Sequence, residues 1–89
     1  MIPSPFLPQV RHIVADLAKV LPETVHESSS IRELFGVNPL DDRLEPQILI
    51  CDCVEQMIQS AVYWEDAKKW RTVQDVIDFL EAREAAERA

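Results

Sequence analysis

The chain contains a single glycine, Gly36, among its 89 residues. Tight β-hairpin turns depend on glycine where φ is positive, so a sheet protein of this size normally carries several glycines. A second independently folding core would leave too few residues for either half. We therefore expect one all-α domain.

The first helical pattern begins after Pro8. Apolar residues recur there at spacings of three and four, which is the period of one face of an α-helix, and the pattern stops at Pro22. Prolines at 3, 5 and 8 interrupt the preceding segment, so residues 1–8 are predicted to form an extended lead-in. The apolar stripe of helix one consists of Val10, Ile13, Val14, Leu17, Val20 and Leu21.

A long polar connection, residues 22–42, follows helix one. A short helical turn over residues 31–35 is predicted within it, ending at Gly36, because glycine readily adopts the left-handed conformation found after helices. Helix two is predicted to start near Asp42, which has capping spacing to Glu45, with Pro46 in the first turn.

The second half of the chain predicts two more helical elements. Residues 63–70 are expected to supply one or two turns, and Thr72 with Asp75 has the spacing of a cap at the start of a last helix. The bundle is predicted to span residues 9–82, and residues 83–89 are expected to form a frayed tail with little to bury. The core is predicted to combine residues of three helices: Val14, Leu17, Val54, Ile58, Val76 and Leu80.

Two stretches of the sequence are similar to acyl carrier proteins. Residues 30–40 (SIRELFGVNPL) resemble the end of that family's long first loop, where an apolar residue and acids lead to glycine and then to Asp, Ser and Leu. Residues 70–80 (WRTVQDVIDFL) resemble the start of its closing helix. The resemblance covers about residues 9–82 and implies a three- to four-helix bundle with a long loop between helices one and two.

The resemblance also implies a serine at the start of helix two, which a separate transferase esterifies with phosphopantetheine. Matching from Gly36 puts Pro39 at that position, whereas matching from helix two puts Arg43 there. Neither side chain has a hydroxyl group, so no cofactor is predicted. The nearest serines are residues 28–30 and Ser60.

These observations predict a non-catalytic, acyl-carrier-like module that docks a protein partner through helix two and the loop before it. One alternative is a functional acyl or peptidyl carrier modified on an unrecognised serine. Another is a small acidic secretion chaperone or regulatory adaptor. The resemblance places the partner contacts on Leu40, Asp41, Asp42, Arg43 and Leu44. Trp64 is a further candidate, because aromatic residues are enriched at binding hot spots, but it is equally suited to the core. Trp70 is assigned to the core.

Charge and reactive groups narrow the function further. The formal net charge of −7 disfavours nucleic acid and anionic membranes, and it suits a protein partner with a basic patch. Cys51 and Cys53 point about 200° apart on a helix, so we expect no disulfide bond between them. A structural zinc site usually needs a second pair of cysteines or histidines, and the sequence offers no such pair near them. No catalytic or metal residue is predicted.

No apolar run approaches the roughly 18 residues that cross a bilayer, and the N-terminus lacks the basic start of a signal peptide. We expect a cytoplasmic monomer.

Overall fold

The computed structural model describes residues 4–37 and 45–88. These segments contain no β-strand; a single isolated antiparallel bridge joins Ser30 to Thr72. The predicted all-α bundle is confirmed. The helices are α1 (Leu7–Ala18), α2 (Ile31–Leu34), α3 (Glu45–Ile58), α4 (Trp64–Ala67) and α5 (Val73–Arg88), with a 3₁₀ turn at Pro22–Thr24.

The core lies between the three long helices, with α1 packed against both α3 and α5. Four of the six predicted core residues are buried, and the other two are partly buried against the same cluster. Trp70 is also buried, as predicted, and meets Phe79 edge to face at 5.4 Å between ring centroids. The buried four are Val14, Val54, Val76 and Leu80, and the partly buried two are Leu17 and Ile58.

Helix α1 begins and ends earlier than its sequence pattern predicts. It starts at Leu7, inside the predicted lead-in, because Pro8 is tolerated in a first turn whose N–H groups have no helical partner. It ends at Ala18, where Lys19 turns left-handed with φ of 60° and the Val20 N–H bonds the Ala15 carbonyl. Leu21, part of the predicted stripe, is therefore outside the helix and 66% exposed.

Residues 83–88, for which the sequence predicts a frayed tail, continue α5. Arg83 accounts for the difference. Its guanidinium donates to the Ala61 carbonyl at 2.8 Å and to the Ser60 hydroxyl, which ties the helix to the chain just after α3. Ion pairs from Arg83 to Glu87 and from Arg88 to Glu84 support the last turns.

The start of α5 holds the long connection in place. Thr72 Oγ1 accepts from the Asp75 N–H, and Asp75 Oδ2 accepts from the Thr72 N–H, so the predicted cap is confirmed. Beside it, the Ile31 N–H donates to the Arg71 carbonyl and the Val73 N–H to the Ser29 carbonyl. This pairing places α2 directly against the beginning of α5.

Candidate partner-binding site

Most of the predicted partner contacts fall on one segment. Residues 40–44, comprising Leu40, Asp41, Asp42, Arg43 and Leu44, lie outside the described residues, as does Pro39. The described part of the predicted site is therefore the helix that follows, α3, together with Trp64 at the start of α4.

The first turns of α3 bury one face and expose the other. Pro46, Gln47 and Ile50 are buried, whereas Ile48 is exposed. Ile48 lies three residues before Cys51, and residues at that spacing are neighbours on a helix surface. The Cys51 thiol lies 3.8 Å from the Val62 carbonyl, so this side of α3 faces the segment that leads into α4.

Two aromatic side chains lie at that boundary. Trp64 is 38% exposed and Tyr63 is 69% exposed, while Ala67 anchors α4 in the core. Part of the Trp64 side chain is therefore packed against the protein, and part is exposed and able to contact a partner. We call Ile48, Tyr63 and Trp64 the α3–α4 surface. Large apolar and aromatic side chains exposed on neighbouring elements are typical of protein-binding sites.

A buried amide fixes the start of α3. Gln47 is fully buried, and its Nε2 donates to the Trp70 carbonyl at 3.0 Å. Its Oε1 has no hydrogen-bond partner within the described part of the chain. The contact joins the beginning of α3 to the turn before α5. Sequence reasoning missed it, because a glutamine between Pro46 and Ile48 gives no sign of which helix face is buried.

The two cysteines point to opposite sides of α3 and both are free thiols. Burial, reinforced by the hydrogen bond to Glu55 and its negative charge, raises the pKa of Cys51 to about 11. Burial, with the charges of Asp52 and Asp16, also raises the pKa of Cys53. Both thiols are therefore weak nucleophiles at neutral pH.

The remaining reactive groups do not converge. His12 is exposed, with Nε2 lying 3.2 Å from Asp16 Oδ2, and His26 is exposed in the long connection. Across residues 4–37 and 45–88, no three His, Cys, Asp or Glu side chains are grouped as metal ligands. Within the same ranges, no helix is long and apolar enough to cross a membrane.

Three long helices with a long, α2-containing connection between the first two define a small helical carrier-type domain. No protein-family model matches the chain. Over 83 residues it is 34% identical to the acyl carrier protein of Thermosynechococcus vestitus, a match that covers 93% of this chain and 96% of that protein. The chain belongs to the acyl carrier protein family.

The family implies phosphopantetheine, and the residues present do not fit it at the start of α3. Residues 31–59 contain no serine, threonine or tyrosine, so this stretch offers no hydroxyl for a phosphodiester link. The nearest hydroxyls on either side are engaged in the fold. Ser29 accepts from the His26 N–H, Ser30 accepts from the Glu33 N–H, and Ser60 accepts from Arg83.

Proposed function

We propose that this chain is a non-catalytic member of the acyl carrier protein family that docks a protein partner without carrying an acyl group. The observation that supports this most is the stretch from residue 31 to residue 59. It spans the end of the long connection and all of α3, yet it contains no hydroxyl-bearing side chain. The chain thus has the helical fold of a carrier protein but no hydroxyl group in this stretch to which phosphopantetheine could be attached.

In this proposal the partner contacts the α3–α4 surface together with residues 40–44, which lead into α3. Exposed Trp64 and Tyr63 supply the large contact area that aromatic side chains give to binding hot spots. Glu65 and Asp66 in α4 are exposed and acidic, in a chain of net charge −7, so a basic patch on the partner would complement them. We propose a monomer in the cytosol.

Intact mass spectrometry tests the carrier chemistry. The protein is incubated with coenzyme A and a broad-specificity phosphopantetheinyl transferase, beside a carrier protein that the transferase is known to modify. We expect no adduct on this chain and complete conversion of the control. A stoichiometric adduct on any serine would overturn the proposal.

Docking is tested by capture of partners from the native host with the wild-type chain and with Arg43→Glu, Leu44→Ala and Trp64→Ala. Leu21→Ala is the matched control, because Leu21 is a large exposed apolar residue outside the α3–α4 surface. We expect the three site variants to lose a captured protein that the control retains. Equal capture by all four variants would contradict docking at this surface.

A functional carrier is the second candidate, and the relative favours it, since the matched protein is named an acyl carrier protein. In that case a serine outside residues 31–59 would have to take the group. Ser28 is the exposed candidate in the long connection. A Ser28→Ala variant that abolished an observed adduct would assign the site.

A further inference from the structure

We propose that a cavity at one end of the bundle binds a small carboxylic acid with a compact apolar body. The cavity lies between the start of α1, the end of α3 and the last turns of α5, and its volume is about 510 Å³. Helix α3 has 14 residues, a length of about 20 Å. The cavity is therefore far from the start of α3, where the family attaches its cofactor, and the inference does not depend on the function proposed above.

The floor of the cavity is apolar and comes from all three long helices or their ends. Leu80 of α5 is buried, while Phe6, directly before α1, and Ile58, the last residue of α3, are half-buried against the core. Phe6 is fixed by its backbone, because its N–H donates to the Ser4 hydroxyl and its carbonyl accepts from the Val10 N–H. Cavities of this size with apolar walls and a few polar groups are typical of small-molecule sites.

Arg83 supplies the polar group that selects a carboxylate. Its side chain is 27% exposed and lines the cavity. Its guanidinium is held by bonds to the Ala61 carbonyl and the Ser60 hydroxyl, each from one Nη atom. A guanidinium has five N–H groups, so Nε–H and one N–H on each Nη remain for a ligand. The planar arrangement of these donors matches the two oxygens of a carboxylate.

Glu87 only weakly occupies this position on Arg83. Its Oε1 lies 3.7 Å from Arg83 Nε, which is longer than a direct hydrogen bond, and its side chain is 67% exposed. A ligand carboxylate can therefore take its place. The other two charged residues of the cavity, Glu84 and Arg88, are paired with each other. Two glutamates beside two arginines favour a ligand with a single negative charge over a phosphate dianion.

The test compares two probes that differ only in charge. Naphthoate carries a carboxylate on a two-ring apolar body, and naphthamide is its uncharged amide. We expect naphthoate to bind with a Kd of about 1 mM or lower, as for a ligand of its size at ordinary efficiency, and naphthamide to bind about tenfold more weakly. In NMR spectra, naphthoate should shift resonances of Phe6, Ile58 and Leu80 and leave those of Trp64 unchanged.

Two glutamate variants on α5 separate the cavity from the net charge of the protein. Glu87→Gln removes the carboxylate that competes for Arg83 and should strengthen naphthoate binding by about threefold. Glu81→Gln is the matched control, because Glu81 is exposed on the same helix and does not line the cavity. It changes the net charge equally and should leave the affinity within about 1.5-fold, since salt screens exposed charges that are far apart.

An arginine variant tests the recognition of the carboxylate. Arg83→Lys keeps the positive charge but replaces the planar group of donors by a single ammonium. We expect the preference for naphthoate over naphthamide to fall from about tenfold to about twofold. Because both probes are measured on the same variant, a general loosening of α5, visible by circular dichroism, would weaken both equally and leave their ratio unchanged.

Equal binding of naphthoate and naphthamide to the wild-type protein would overturn the proposal, as would NMR shifts confined to residues outside the cavity. Equal responses of Glu87→Gln and Glu81→Gln would assign the preference to net charge and would also overturn it, as would an unchanged probe ratio in Arg83→Lys. Failure of the α3–α4 surface to capture a partner would leave these results unaffected, so the two proposals are separately testable.

Discussion

Lys19 and Gln59 adopt the left-handed backbone conformation directly after α1 and α3, with φ of 60° and 54°. A side chain with a Cβ costs roughly 1–2 kcal/mol in this region, a cost that glycine avoids. We expect Lys19→Gly and Gln59→Gly each to raise the free energy of unfolding by about 0.5–1 kcal/mol, since the greater entropy of unfolded glycine offsets part of the gain. Urea denaturation measures the change.

Lys68→Gly is the control for this prediction. Lys68 also ends a helix, but its φ is −63°, where a glycine removes no strain. It should lower stability. If Lys19→Gly and Gln59→Gly also lowered the free energy of unfolding, the strain at these two positions would have to be compensated by other contacts.

Gln47 gives a second prediction at the residue scale, because its side chain is fully buried against the Trp70 carbonyl. Gln47→Glu replaces a donor by a carboxylate whose burial raises its pKa above the unfolded value. The charged form then destabilises the fold by several kcal/mol at neutral pH. Protonation relieves this penalty as the pH falls towards the unfolded pKa, near 4.3. We expect the melting temperature of this variant, relative to wild type, to rise between pH 7 and pH 5.

Gln47→Met is the comparison for the glutamate variant, because it keeps the volume and carries no titratable group. Its melting temperature relative to wild type should not change with pH. A glutamate variant that behaved in the same way would show that water reaches this position.

At the scale of elements, Arg83 joins the last helix to the end of α3. Arg83→Ala removes charge-assisted bonds to the Ala61 carbonyl and the Ser60 hydroxyl, which should cost about 1–3 kcal/mol. We expect amide hydrogens after residue 83 to exchange faster. Arg88→Ala, which removes only an ion pair within α5, should leave stability nearly unchanged. Equal exchange in the two variants would show that the contact between helices does not hold the tail.

Element boundaries were predictable where the determining contacts are local. The spacing of Thr72 and Asp75 predicts the α5 cap, and the structure has it. The helical tail was not predictable, because it depends on Arg83 reaching residues far away in sequence. The same is true of Gln47 and Trp70, whose contact exists only once α3 and α5 are packed.

At the scale of the whole molecule, truncation of the core tests the bundle. Leu80→Ala removes a buried leucine and should cost about 2–5 kcal/mol, a large part of the roughly 4–13 kcal/mol available to a chain of this length. Leu17→Ala should cost less, because Leu17 is only partly buried. Gln56→Ala, at an exposed position, should shift stability by at most about 0.5 kcal/mol.

Thermal melts followed by circular dichroism measure these differences. A Leu80→Ala protein that melted like wild type would contradict the packing described here. The bundle and its family were predictable because apolar spacing and two short motifs extend over most of the chain.

The pairing of residues around Ser30 with those around Thr72 also bears on how the chain acquires its structure during synthesis. The hydrogen bonds from Ile31 to Arg71 and from Val73 to Ser29 join segments far apart in the chain. During synthesis on the ribosome, the residues of α1 and α3 emerge well before residues 71–73. Contacts of such long sequence separation form slowly, since a large loop must close first. The connection containing α2 therefore acquires its final shape only when the start of α5 has been made.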